Sequence, residues 1–355
     1  MEIIRLQTPT AKSKIYIGAN ILDECLPPLT DGQKNFVVTD SNVYKLYKGT
    51  IEKYFKGAEI FVLKAGEKHK NLRSLYRLLS KMAGAGLHRT SKLFAFGGGV
   101  VGDIAGLAAA LYMRGISYVQ IPTTLLSQID SSVGGKTAVD LRGVKNIVGA
   151  FYQPQKVIVD TAFLNTLPKK EIKCGVGELV KYAALDQEIF KLVQENLARL
   201  QDTAFLRFVV SPCINYKSGV VTRDEKETGE RKSLNVGHTT GHAIELQKGL
   251  SHGESVLYGM LLETKIAIEK GVCERGYGEK LLSLIRAAIM SAPYKKCNLS
   301  KIGNAAKFAK ADKKNKDDGK IRLSVAKDKG EWAELALDFD EYRTAIEKAA
   351  QELSL

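Results

Sequence analysis

The sequence is poor in residues that build cross-linked or rigid frameworks. Its 355 residues include five cysteines, eight prolines and a single tryptophan. The cysteines (Cys25, Cys174, Cys213, Cys273 and Cys297) are odd in number, scattered, and nowhere spaced as C-x-x-C. That pattern argues against a disulfide framework or a thiolate metal site and points to buried thiols in a reducing compartment. Long apolar runs are lacking as well. The stretch from Leu93 to Met113 is broken by Asp103 and five glycines, which argues against a membrane span. The start, MEIIRLQTPTAK, has no basic flank followed by an apolar run, so no signal peptide is expected and a cytoplasmic location is. Acidic residues are in deficit, 39 against 53 basic ones, for a net charge of +14. Such a balance suits nucleic acid, an anionic small substrate, or solubility alone. The lysines are spread along the whole chain without an arginine-rich arm or an RNP-like aromatic motif, so no nucleic-acid partner is expected.

What is present is the composition of a large globular protein, with 45% apolar residues and a length that favours two domains. The runs KIYIG (14–18), NFVVTD (35–40), EIFVL (59–63), KLFAF (92–96), YVQIP (118–122) and KVIVD (156–160) read as strands, with helical patterns such as Asn71 to Met82 between them. Strands alternating with helices predict a parallel sheet with crossover helices. After Pro168, long helical patterns over 174–198, 203–225 and 255–271 replace the strands, and one hairpin, KIRLSVA and EWAELAL around KDKG, comes late. The expectation is an α/β protein: an N-terminal Rossmann-like parallel-sheet domain over 1–165, followed by a mainly α-helical C-terminal domain over 166–355.

FAFGGGVVGD (94–103) sets Gly97, Gly99 and Gly102 in G-x-G-x-x-G spacing between a strand and a helix. Glycines there let backbone N–H groups approach a pyrophosphate at a helix N-terminus. The acid expected about 20 residues on is missing. Asp40, closing FVVTD, and Glu67 are the better candidates for a ribose hydroxyl. DSSVGGKTAVD (130–140) ends like a phosphate-binding loop, but Asp130 stands where that loop needs a glycine, which excludes an NTPase reading. In CGVGELVKYA (174–183), Glu178 and Lys181 lie at i, i+3 among apolar neighbours. Lys217, Glu227, Arg231 and Asn235 lead up to the densest feature of the chain: His238, His242 and His252, three of its five histidines within fifteen residues. With a carboxylate at hand they point to a metal or a proton-transfer role, and spacing leaves open which residues would bind.

Together, GGGVVGD, YMRG, IPTTLLSQIDSSVGGKTAVD, KNIVGAFYQP, GVGELVKYA, DEKETGERKSLNVGHTTGHAIE, HGE and DKKN resemble the 3-dehydroquinate synthase family of sugar-phosphate cyclases, in the family's order, from about residue 36 to 325. Gly177 departs from the alanine common in the family, and LRGVKN replaces a shorter loop. The resemblance implies conversion of 3-deoxy-D-arabino-heptulosonate 7-phosphate to 3-dehydroquinate and phosphate. The family's route is a transient NAD oxidation, phosphate elimination, re-reduction and aldol ring closure. It further implies a zinc or cobalt ion on Glu178, His238 and His252. Catalytic groups would be His242, Lys181, Glu227, Asn235 and Lys217. Contacts to an anionic sugar phosphate would come from Asp130, Lys136, Arg114, Lys145, Asn146, Arg231 and Lys313. NAD would meet Asp40, Asn42, Glu67, Lys70, Gly98, Gly99, Val100, Asp103, Thr123 and Thr124. The family also implies a homodimer. A related cyclase with another substrate, a metal-dependent polyol dehydrogenase, and a basic anion-binding module are the alternatives.

Overall fold

The computed structural model describes residues 1–32, 34–291, 299, 302–310 and 319–353. They divide into two compact units: Met1–Leu167 with Lys217–Lys226, and Pro168–Tyr216 with Glu227–Leu355.

The first unit is built on a seven-stranded sheet. In chain order its elements are β1 (Glu2–Gln7), β2 (Lys12–Gly18), the short helices α1 (Leu22–Cys25) and α2 (Pro27–Thr30), β3 (Asn35–Asp40), α3 (Ser41–Tyr54), β4 (Glu59–Leu63), α4 (Leu72–Gly84), β5 (Lys92–Gly97), α5 (Gly99–Leu111), β6 (Tyr118–Pro122), the hairpin β7 (Lys136–Leu141) and β8 (Val144–Phe151), and β9 (Lys156–Asp160). The strand order is β1-β2-β9-β6-β5-β3-β4, with β1 antiparallel to β2 and every other pairing parallel. Side chains alternate between faces, and both faces are buried. Phe36, Val38, Leu93 and Ala95 join one core with residues of α4 and α5, while Val37, Phe94, Phe96 and Val119 join another with residues of α1 and α3. A strand covered on both sides is apolar throughout, which is why these strands stand out in the sequence.

The topology fixes where a ligand can dock. From β3 the chain passes outward to β4, then returns to the other side of β3 for β5 and runs on to β6. The strand order therefore reverses between β3 and β5, and in open parallel sheets ligands bind beyond the carboxyl ends of the strands at such a reversal. Asp40 and Gly97 close the two strands that flank it.

The second unit is helical: α6 (Lys169–Leu185), α7 (Gln187–Glu195), most of α8 (Thr203–Arg223), α9 (His238–Lys248), α10 (His252–Glu269), α11 (Arg275–Ser291), α12 (Ala306–Lys310), the antiparallel hairpin β10 (Ile321–Asp328) and β11 (Glu331–Leu337), and α13 (Phe339–Glu352). Its centre is α10, almost all of whose residues from Gly253 to Ile268 are buried. No helix among the described residues is long and apolar enough to cross a membrane.

Candidate metal centre and nucleotide turn

In the second unit α6, α9 and α10 approach one another through glycines. A Cβ on Gly177 would lie 2.3 Å from the carbonyl oxygen of Gly253, and one on Gly259 would lie 2.0 Å from that of Gly237. Only a residue without a Cβ admits backbones this close. Glu263 of α10, 1% exposed, then ties down the start of α9. Its two oxygens accept the N–H groups of Gly237 at 2.9 Å and Thr240 at 2.8 Å. An anion there satisfies donors that a helix start leaves without partners and complements the helix dipole.

This packing directs three donors to one point. Glu178 Oε1 lies 2.9 Å from His252 Nε2 and 3.4 Å from His238 Nε2. One ligand atom from each of the three residues lies within 4.8 Å of the others. Both rings turn their second nitrogen outward: His238 Nδ1 sits 3.1 Å from the carbonyl oxygen of Val236, and His252 Nδ1 sits 3.4 Å from Glu245 Oε2. A proton on the outer nitrogen leaves the inner lone pair for a cation. One carboxylate and two imidazoles with positions left open is a donor set that suits catalytic zinc.

The other oxygen of Glu178, Oε2, lies 2.5 Å from Lys181 Nζ, and both side chains are 1% exposed. Burial opposes ionisation of Glu178, but the Lys181 ammonium and the His238 ring outweigh it and hold the carboxyl well below its usual range. Burial likewise opposes the charged form of His252; hydrogen bonds to Glu178 and Glu245 prevail and push it up to about 9. For His238, burial prevails over the pull of Glu178 and lowers its value.

His242 stands beside this set, its ring centroid 5.4 Å from that of His238 and 5.8 Å from that of His252. It belongs to a second group, with Glu245 and His252, whose donor atoms also lie within 4.8 Å of one another. Nearby in sequence, Asn235 donates to Glu227 Oε1 at 2.6 Å, Glu227 takes φ +63°, and Arg231 is 1% exposed. Lys313 lies outside the described residues.

In the first unit β5 ends on Gly97, Gly98 caps α5, and Gly99 begins it. A Cβ on Gly98 would lie 3.0 Å from Thr124 Cγ2, and one on Gly99 would lie 3.1 Å from Ser131 Oγ, so the turn presents bare backbone at the sheet's reversal. Val100 and Asp103 fall in the first turns of the same helix. Thr123, just beyond β6, has a buried hydroxyl with no partner among the described residues. Bare N–H groups and an unsatisfied buried hydroxyl at this place fit a dinucleotide. Asp40 Oδ1 is committed to the start of α3, where it accepts the N–H of Asn42 at 2.8 Å and of Val43 at 3.1 Å. Lys70 is buried and pairs with Asp103 at 2.8 Å and Glu67 at 3.3 Å. Burial alone would lower its value, but the two carboxylates raise it, so it is a fixed cation.

Also in this unit, Lys217 donates to the carbonyl oxygen of Asp130 at 2.8 Å and to its carboxylate. Lys136 opens β7, and Lys145 and Asn146 lie on β8, with Asn146 at φ +53° and its N–H 2.8 Å from Asp140 Oδ1. Arg114 is exposed at φ +65°. Two carboxylates escaped sequence reasoning. Glu245 follows His238 and His242 at i+7 and i+3 on one face of α9, and Glu263 is a lone acid inside the apolar run YGMLLETKIAI; those placements were the available signals.

Comparison with known proteins decides the family. The family model described as 3-dehydroquinate synthase N-terminal matches residues 60–174, and the one described as 3-dehydroquinate synthase C-terminal matches residues 175–315. The chain belongs to the 3-dehydroquinate synthase family. A 3-dehydroquinate synthase from Alkaliphilus metalliredigens is 40% identical over 341 residues, covering 94% of this chain and 94% of the relative. Among solved structures, 2-deoxy-scyllo-inosose synthase complexed with carbaglucose-6-phosphate, NAD+ and Co2+ superposes with a TM-score of 0.85 at 25% identity, covering 98% of this chain and all, 100%, of that one. The 2-epi-5-epi-valiolone synthase of Streptomyces hygroscopicus subsp. jinggangensis 5008, with NAD+ and Zn2+ bound, gives a TM-score of 0.83 at 25% identity, covering 99% of this chain and 100% of that one. The expected α/β architecture, a Rossmann-like sheet followed by a helical portion, is the one found.

Proposed function

We infer that the chain converts 3-deoxy-D-arabino-heptulosonate 7-phosphate to 3-dehydroquinate and phosphate, with NAD and a divalent cation, zinc or cobalt, as cofactors. The carrying observation is the convergence of Glu178 Oε1, His238 Nε2 and His252 Nε2 in a member of this family. These three residues would hold the cation, and the Gly98–Gly99 turn, with Val100, Asp103, Thr123, Thr124, Asp40, Asn42, Glu67 and Lys70, would hold the nucleotide. When bound, the cation polarises a substrate oxygen and NAD takes up and returns a hydride.

The chain's own groups do the rest. Lys181 neutralises the outer oxygen of Glu178, so that the carboxylate stays ionised in a buried place. His242, close to the donor set but outside it, moves a proton at a substrate hydroxyl. Glu227 holds the Asn235 amide and so fixes the oxygen that the amide leaves for substrate. Lys217 is held by Asp130 in the first unit. Arg231, Lys313, Lys136, Arg114, Lys145 and Asn146 are assigned by motif to the phosphate and carboxylate of an anionic sugar phosphate.

We extend the proposal to a homodimer in the cytoplasm. Its supports are the β7–β8 hairpin, which leaves Leu141, Val144, Ile147 and Phe151 exposed, and the cysteines Cys25, Cys174 and Cys273, which form no disulfide among the described residues. Light scattering across a dilution series tests the dimer. The activity is tested by incubating the protein with the heptulosonate phosphate, NAD and zinc and measuring released phosphate. Chelator-sensitive release is expected; release that ignores the chelator, or none, overturns the assignment.

A further inference from the structure

The two imidazoles of the donor set are held from different places in the fold. His238 is held by the carbonyl of Val236, two residues earlier in its own segment. His252 cannot be held that way. It is the first residue of α10, directly after the cap Ser251, and a helix start presents N–H groups while its carbonyls point along the axis. The adjacent Ser251 hydroxyl is occupied, since Ser251 and Glu254 form a reciprocal capping box. An acceptor for His252 Nδ1–H must therefore come from another element. Glu245 of α9 supplies it, with Oε2 3.4 Å from Nδ1 while Nε2 faces Glu178 at 2.9 Å.

We propose that Glu245 is a positioning residue for the metal centre: by accepting the His252 Nδ1–H it fixes that ring's tautomer and presents Nε2 to the cation. The proposal rests on the preceding reading that Glu178, His238 and His252 bind a metal. It gives α9 two duties, since the face that carries the ligand His238 also carries the group that orients the ligand on α10. It makes the two imidazoles unequal as well. One leans on a neutral carbonyl and the other on an anion, and a carboxylate partner makes its imidazole the stronger donor.

The group His242, Glu245 and His252 could instead bind a second cation directly. That arrangement would strip both protons from His252, whose Nε2 serves the first cation. A proton kept on Nδ1 satisfies Glu245 with no such cost, so positioning is the better account of the same three side chains.

The test is zinc affinity and stoichiometry, measured by competition with a chromophoric chelator, for the wild-type chain, Glu245→Gln and Glu245→Asp. Expected are one zinc per chain throughout, an affinity about 10–100-fold weaker in Glu245→Gln, partial recovery in Glu245→Asp, and an unchanged melting midpoint for the metal-free forms. Should Glu245→Gln fail to fold, nitrogen-15 NMR of imidazole-labelled, zinc-loaded wild-type protein gives the second readout, with the His252 proton expected on Nδ1. Unchanged zinc affinity in Glu245→Gln, two zincs falling to one, or a His252 bound through Nδ1 each overturn the proposal. A wild-type chain that takes up no zinc overturns this proposal and the metal reading beneath it, whereas zinc uptake without phosphate release removes the assigned reaction and leaves the role of Glu245 standing.

Discussion

Lys181 Nζ holds one oxygen of Glu178 at 2.5 Å, which leaves the opposite oxygen facing two imidazoles. The pair is buried, so removing one member strands the other. Lys181→Met is expected to destabilise the metal-free protein by about 3–5 kcal/mol, the usual consequence of an uncompensated buried charge. Zinc supplies positive charge at the same carboxylate and should restore part of the loss. Melting curves with and without zinc check this, and a variant as stable as wild type without metal would count against it.

His242 sits outside the Glu178, His238 and His252 set, although its ring centroid is 5.4 Å from that of His238. His242→Ala is therefore expected to keep its zinc while phosphate release falls by roughly 10²–10⁴-fold, the range for a lost proton-transfer group. Metal analysis and the phosphate assay on one preparation decide it. Loss of zinc would make His242 a ligand.

Gly177 stands against Gly253, and a Cβ there would lie 2.3 Å from the Gly253 carbonyl oxygen. An alanine at this position would force α6 and α10 apart. Gly177→Ala is expected to cost about 1–3 kcal/mol of stability, typical of overpacking, and to weaken zinc binding because Glu178 and His252 ride on the two helices. Denaturant unfolding and zinc titration measure both effects; an unchanged affinity would show that the helices part without moving their donors.

Glu225, 6% exposed, accepts hydrogen bonds from Thr10 at 2.6 Å, Thr8 at 2.9 Å and Gln153 at 3.2 Å within the first unit. Burial would raise its value, but these donors prevail and lower it. A carboxyl depressed on folding stabilises above its unfolded value, near 4.3, and that contribution disappears as pH falls through the lower folded value. Glu225→Gln should lose about 1–3 kcal/mol at pH 7, as expected for bonds to a charged acceptor, and this deficit should shrink below about pH 4. Melting midpoints of both proteins from pH 3 to 7 test it; a deficit independent of pH would exclude the carboxylate as its source.

The central sheet was legible in the sequence for a physical reason. NFVVTD, EIFVL, YVQIP and KVIVD coincide with β3, β4, β6 and β9, and three of these four strands are largely buried, so their apolar runs are unbroken. The edge strand β1 escaped notice because only Leu6 of EIIRLQ is buried. The hairpin β7–β8 escaped because β8 buries none of its residues fully and so carries no apolar period. The helical pattern over 174–198 hid the break at Asp186, whose side chain caps α7. At the metal centre, motif resemblance named Glu178, His238 and His252, whereas their spacing, 60 and 14 residues apart, could not bring them together. Glu245 and Glu263 were illegible as partners because each meets its histidine or N–H groups on a different helix.

The glycine seams between α6, α9 and α10 also determine when the centre can be loaded. Besides the contacts that Glu178, His238 and His252 make themselves, these helices are joined by close backbone approaches and by the Glu263 carboxylate, which lie outside the donor set. We therefore expect the frame to assemble without help from the ion, with its three donors, drawn from distant stretches of chain, meeting inside it. Filling and emptying then become exchanges within a finished framework. A chelator should extract the ion and leave the helical half intact, and the same molecule should accept a different ion afterwards without refolding.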